Sequence, residues 1–140
     1  MLAEGTLAPD FDVLAHDGSR VRLSELAGQH VLVWFYPWLN FRRYRIPPDQ
    51  IRKLETKNVV VLGATFMDVA DNHAYHYKFS YSFKVLSFPT VTGDPWDAGD
   101  LANPSAVAYL IGPDRQVIKA YANVEPHTHP AQVLADVTAL

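Results

Sequence analysis

Two apolar runs constrain this chain more than any other feature of it. "HVLVWFYP" (30–37) and "NVVVLGATF" (58–66) are too continuous to alternate between core and solvent. Strands of that kind are buried on both faces, as in parallel or mixed sheets covered by other elements. Parallel neighbours need a crossover of a dozen or more residues, usually helical. The segment between the runs supplies one. Pro47-Pro48-Asp49 is a helix start, and "DQIRKLE" places Ile51 and Leu54 on one face. A βαβ unit is expected over 30–66.

The flanking segments extend it. "FDVLAHDGSRVRLSEL" reads as a β-hairpin around Asp17-Gly18, with Ser24 capping a short helical turn. "DVADNHAYHYKFSYSF" reads as an aromatic-rich helix starting near Asp68, and "SFPTVTGDP" as a short strand followed by a turn. "AVAYLIGPDRQVIKAYA" is two strands joined at Pro113-Asp114. "THPAQVLADVTAL" is a closing amphipathic helix with Val133, Leu134 and Val137 on one side. This order predicts one α/β domain over 1–140, an α/β/α sandwich of the thioredoxin type with a central mixed sheet and an N-terminal β-hairpin.

Composition removes several function classes. A net charge of -3 carries no basic excess for nucleic acid. No segment is apolar for the ~18–20 residues of a membrane span. "MLAEGTLAPDFD" has neither the basic start nor the apolar run of a secretion signal, so a cytoplasmic location is the default expectation. The 140 residues include 0 cysteines, which excludes disulfides, thiolate metal sites and protein thiol chemistry.

Taken in order, several motifs carry a resemblance: Ala8-Pro9-Asp10-Phe11, the Asp17-Gly18 hairpin, "LSELAG", the Phe35-Tyr36-Pro37 strand exit, "HYKF", "SFPTVTGDP", "YLIGPDRQVIKAY" and "VEPHTHPAQVLADV". The chain resembles a peroxiredoxin (AhpC/TSA) of the bacterioferritin-comigratory, PrxQ-like branch of the thioredoxin-like superfamily, over nearly its whole length. The resemblance implies the fold but not the chemistry. The family's strand exit runs Pro-x-x-x-Thr/Ser-x-x-Cys; counted from Pro37, the hydroxyl position is Phe41 and the nucleophile position is Tyr44. The position of a second, resolving cysteine is Asp49, and that of the family's arginine is Ala106. A tyrosine hydroxyl, with a pKa of about 10, does not accept oxygen from peroxide as a thiolate does. Thiol peroxidase activity is therefore not expected.

The loop now reads Trp38-Leu39-Asn40-Phe41-Arg42-Arg43-Tyr44-Arg45. Three guanidiniums stand before a helix N-terminus, which favours anions. Arginine forks bind carboxylate or phosphate, and rings stack on planar groups. Trp38, Phe41, Arg42, Arg43 and Arg45 are candidate binding residues for an anionic or aromatic small molecule, or for a protein partner. Tyr44 is the candidate hydrogen-bond donor or weak general acid. The competing reading is a solvated basic loop whose rings fill vacated space. Three functions remain open: a non-redox binding or partner protein, a repurposed enzyme of acid–base or cyclisation type using Tyr44, and a metal-binding protein. The last rests on Glu125, His127 and His129, whose alternation on an extended backbone points them one way. Pro126 and Pro130 weigh against it, and neither a metal nor a cofactor is favoured. His73 and His76 share a helix face and read as surface residues, and Asp94, Asp97 and Asp100 around Trp96 read as a solvated acidic turn. A monomer or homodimer is expected.

Overall fold

The structure, a computed structural model, describes residues 1–35, 48–79, 82–89, 95–99, 102 and 104–140. Its centre is the expected βαβ unit. Strands β3 (His30–Phe35) and β4 (Val59–Thr65) pair in parallel from His30↔Val59 to Phe35↔Ala64. Neither alternates in polarity because both faces are covered. Val31, Val33, Phe35, Leu62 and Ala64 enter one buried cluster; Leu32, Trp34, Val59 and Val61 enter the other. Helix α1 (Pro48–Thr56) starts on a proline, where a missing N–H costs no helical bond, and buries Ile51 and Leu54 in the second cluster.

Around this pair stand β1 (Asp12–Ala15), β2 (Arg20–Arg22), β5 (Lys84–Ser87), β6 (Ala108–Ile111) and β7 (Val117–Tyr121). The seven strands form one mixed sheet in the order β2-β1-β5-β4-β3-β6-β7. Both predicted hairpins are present. The first turns through Gly18 at φ 81°, and the second through Arg115 at φ 66°. Helix α2 is Val69–Phe79 and helix α3 is His129–Thr138. Val133 is buried in the second cluster with Leu134 and Val137 packed against it, the side the periodicity indicated. The first cluster is closed instead by chain without helix: Ala8, Phe11, Trp96 and Ala98. Among the described residues no helix is long and apolar enough to cross a membrane.

Two local expectations change. Ser24 does not cap the Leu23–Leu26 turn; it lies inside it, and the Asp10 carboxylate accepts its N–H at 3.0 Å. A distant carboxylate thus does what a local hydroxyl was expected to do. The strand expected at "SFPT" is instead Lys84–Ser87, and α2 stops at Phe79, before the end of its aromatic run. Phe83 and Val85 enter the second cluster and Leu86 the first, the period-two pattern of a strand. The start of α2 is as expected: the Asp68 carboxylate accepts the Asp71 N–H at 2.8 Å.

Asn72 holds α2 to the sheet. It is fully buried, accepts the Thr65 hydroxyl proton at 2.8 Å and donates to Ser87 Oγ at 2.8 Å. Removing it takes a partner from the buried Thr65 hydroxyl, which keeps only the Met67 N–H as donor among the described residues, and from the half-buried Ser87. Asn72→Ala is expected to cost about 1–3 kcal/mol by urea unfolding; a loss below about 0.5 kcal/mol would mean that water replaces the amide without penalty.

Candidate functional site

The parallel strands β3, β4 and β5 all end at one edge of the sheet, where ligands lie in many open α/β sheets. Each exit is aromatic. Phe35 ends β3, Phe66 follows β4 and Phe88 follows β5. The Phe35 ring centroid is 6.1 Å from that of Phe66 and 5.2 Å from that of Phe88. Phe11 and Trp96 complete the group: Phe11 lies 5.2 Å from Phe88 and 5.9 Å from Trp96. All these pairs are tilted or edge-on, the arrangement that ring quadrupoles favour. Between the five rings and Val13, Pro89 and Pro95 is a cavity of about 200 Å³.

Trp96 is 2% exposed, so the stretch read as a solvated acidic turn is buried at its centre. Asp97 is exposed as expected, but the neighbouring Ala98 is fully buried, and Asp94 and Asp100 lie outside the described residues. The Tyr109 hydroxyl, itself buried, donates to the Trp96 carbonyl at 2.7 Å and fixes that wall.

Asp10 and Asp12, both exposed, are among the lining residues. Partial burial acts to raise the Asp10 pKa, but N–H donors from Ser24 and Phe11 outweigh it and hold the carboxyl below its ordinary value. The hydrogen bond from Arg20, followed by that from Arg22, lowers Asp12. Both groups are ionised at neutral pH, and Asp12 has its charge offset by two guanidiniums.

No family model matches the chain. A protein described as a peroxiredoxin, bcp, of Helicobacter pylori is 34% identical over 82 residues, 56% of this chain and 51% of that protein. The match thus spans about half the length of the curated relative. Peroxidoxin BcpB of Mycobacterium tuberculosis superposes with a TM-score of 0.84 at 19% identity, over 100% of this chain and 99% of its own. PrxQ of Xylella fastidiosa superposes at 0.73 and 19% identity, over 99% and 97%. The fold is a peroxiredoxin's. The matched proteins are named as BCP- or PrxQ-type peroxiredoxins, and this chain has no cysteine.

In that peroxiredoxin frame, Trp38, Phe41, Arg42, Arg43, Tyr44 and Arg45 all fall in 36–47, outside the described residues. What the structure places is the point of departure of that segment, Phe35, in the cavity wall. Asp49 is exposed in the first turn of α1 and paired with Arg52. Ala106 is half-buried against the second cluster, and its carbonyl accepts the Val124 N–H at 3.0 Å. Neither lines the cavity. The rings of Phe11, Phe66, Phe88 and Trp96 were not anticipated as a site. The usable signal was positional: each sits just outside a strand or within a Pro-containing turn.

Glu125, His127 and His129 do not face one way. Residues 126–128 form a turn, and the Glu125 carbonyl accepts the His129 N–H at 2.9 Å, so the extended backbone on which alternation depends is absent. Glu125 and His127 are exposed, whereas His129 is 1% exposed. Its ring lies edge-on to Trp34 at 4.7 Å and to Tyr121 at 4.8 Å, and its Nε2 has no hydrogen-bond partner among the described residues. Burial pushes the His129 pKa down to about 4, against weaker upward pulls from Gln132 and Asp136. With the folded pKa below the unfolded value of 6.5, the native state binds fewer protons. Stability is therefore retained above pH 6.5 and lost as pH falls from there toward about 4, by at most about 1.4 kcal/mol per pH unit. His129→Phe is expected to flatten that limb in urea midpoints measured against pH. An unchanged slope in the variant would assign the acid sensitivity elsewhere.

Proposed function

We propose that this chain is a non-thiol binding protein on a peroxiredoxin scaffold, whose ligand is a small compound with a single aromatic or comparably compact apolar ring. The observation that carries the reading is the five-ring cavity of about 200 Å³ at the ends of three parallel strands. For scale, an engineered apolar cavity of about 150 Å³ binds benzene. Face and edge contacts from five rings would hold a planar guest, and the exposed Asp10 carboxylate among the lining residues would favour a neutral or cationic substituent over an anionic one. Arg42, Arg43 and Arg45, on the segment that leaves the cavity wall at Phe35, are the groups through which an anionic substituent would be accepted.

A second reading shares the cavity. An apolar chamber beside the Phe35 exit is also what a repurposed acid–base enzyme would require, with Tyr44 as its weak acid. Turnover that survives Tyr44→Phe would remove that role.

Titration with benzyl alcohol, benzylammonium and benzoate, followed by intrinsic tryptophan fluorescence and by NMR, tests the binding reading. Saturable binding of the first two is expected, with benzoate weaker. Val13→Phe projects a ring into the cavity and is expected to weaken binding about tenfold or more, with the cooperative unfolding transition retained. Arg42→Ala with Arg43→Ala is expected to weaken benzoate alone. Absence of saturation by all three probes, or equal affinity in Val13→Phe, would sink the assignment.

A further inference from the structure

Away from the cavity, three histidines from two distant segments meet. His16 follows β1, and His73 and His76 lie on α2. The His16 ring stacks on His76 with centroids 3.6 Å apart and planes 12° apart, and lies 6.5 Å from His73 at 23°. Leu14 and His16 alternate with Val13 and Ala15, which enter the first cluster, so His16 points to the face on which α2 sits.

The hydrogen bonds assign the protons. The Val85 N–H is 3.2 Å from His16 Nδ1, and a backbone N–H can only donate, so Nδ1 carries a lone pair and the ring is neutral. The His16 N–H in turn donates to the Val85 carbonyl at 2.8 Å. The imidazole thus takes the place of a backbone acceptor beyond the Leu14↔Ser87 and Ala15↔Leu86 pairs, extending the β1–β5 ladder by one side chain. His76 Nε2 lies 3.0 Å from the Phe83 carbonyl, which can only accept, so His76 donates there. One stack therefore ties α2, the hairpin and the start of β5 together.

We propose that His16, His73 and His76 form an acid-sensitive latch, closed while His16 is neutral, that holds α2 against the β1–β5 edge. Protonating His16 would place an N–H against the Val85 N–H and a cation against the His76 ring, which breaks the acceptor and disfavours a second charge in the stack. The groups facing His16 are His73 and His76 from α2, Asp17 from the hairpin turn and Lys84 from β5. Burial lowers the His16 pKa first, with His76, His73 and Lys84 adding to it and Asp17 opposing. A depressed folded pKa means that proton uptake favours the open state as pH falls below the ordinary value of 6.5. Release would act beside Asn72 and one turn beyond it on α2, a helix that starts at Val69, shortly after Phe66 in the cavity wall.

Amide exchange of Val85, corrected for intrinsic rates and followed from about pH 7.5 to about pH 5.5, tests the latch without any ligand. Protection of Val85 is expected to fall by up to about tenfold per pH unit for each proton taken up, while Leu32 and Val33 in β3 keep theirs. His16→Gln retains an acceptor for Val85 but cannot titrate, and its Val85 protection is expected to be flat over the range. Three outcomes overturn the proposal: constant Val85 protection in the natural protein, the same loss in His16→Gln, or a parallel loss at Leu32 and Val33, which would mark global unfolding through His129. Because no cavity ligand enters the measurement, failure of the latch leaves the cavity reading standing, and the reverse.

Discussion

The rest of the structure depends on the six-residue parallel pairing of β3 with β4, buried on both faces. Burial on both sides forces a covering element on each. On one face α1 and α3 supply it with Ile51, Leu54 and Val133. On the other, irregular chain does so with Ala8, Phe11, Trp96 and Ala98. The parallel direction brings the ends of β3, β4 and β5 to one edge, and rings at each exit then have only one place to pack. The cavity is thus a consequence of strand direction combined with aromatic residues at three exits.

Several polar side chains are committed to holding the fold together. The Asp10 carboxylate ties the N-terminal segment to the turn at Ser24. Hydrogen bonds from Ser19 hold the Asp17 carboxyl down to about 2 and close the first hairpin. The Tyr121 hydroxyl donates to Asp136 at 2.6 Å, and burial raises its pKa beyond any titration range of interest. What distinguishes the cavity is therefore apolar area and ring geometry rather than a titrating group. That fits a chain with a peroxiredoxin fold and no thiol. Its histidines have taken different places: one is sealed among Trp34, Tyr121 and the α3 start, and another replaces a carbonyl in a sheet.

Much of the architecture could be read directly from local pattern. The two apolar runs are β3 and β4, the Pro47-Pro48 start opens α1, Asp68 caps α2, and Asp17-Gly18 and Pro113-Asp114 turn the hairpins. Lys84–Ser87 was hidden because four residues hold only two periods of a strand and adjoin a ring-rich helix. Ser24 misled because its N–H partner, Asp10, is remote in sequence. The alternation of Glu125, His127 and His129 misled because a helix nucleates across it. Trp96 looked exposed because its sequence neighbours are acidic, while its spatial neighbours are Phe11, Phe35 and Tyr109.

The amino-acid sequence by itself determined the strand and helix periods, the turns, the absence of a thiol and the departure from the peroxiredoxin motif at Phe41, Tyr44, Asp49 and Ala106. Those properties reside in the identity of single residues or in spacings within one element. Only the tertiary structure decided that residues 11, 35, 66, 88 and 96 enclose one space, and that His16 stacks on His76. Such meetings depend on strand order and on which face each element covers. Both are set by burial of the whole sheet, which no local stretch of chain encodes.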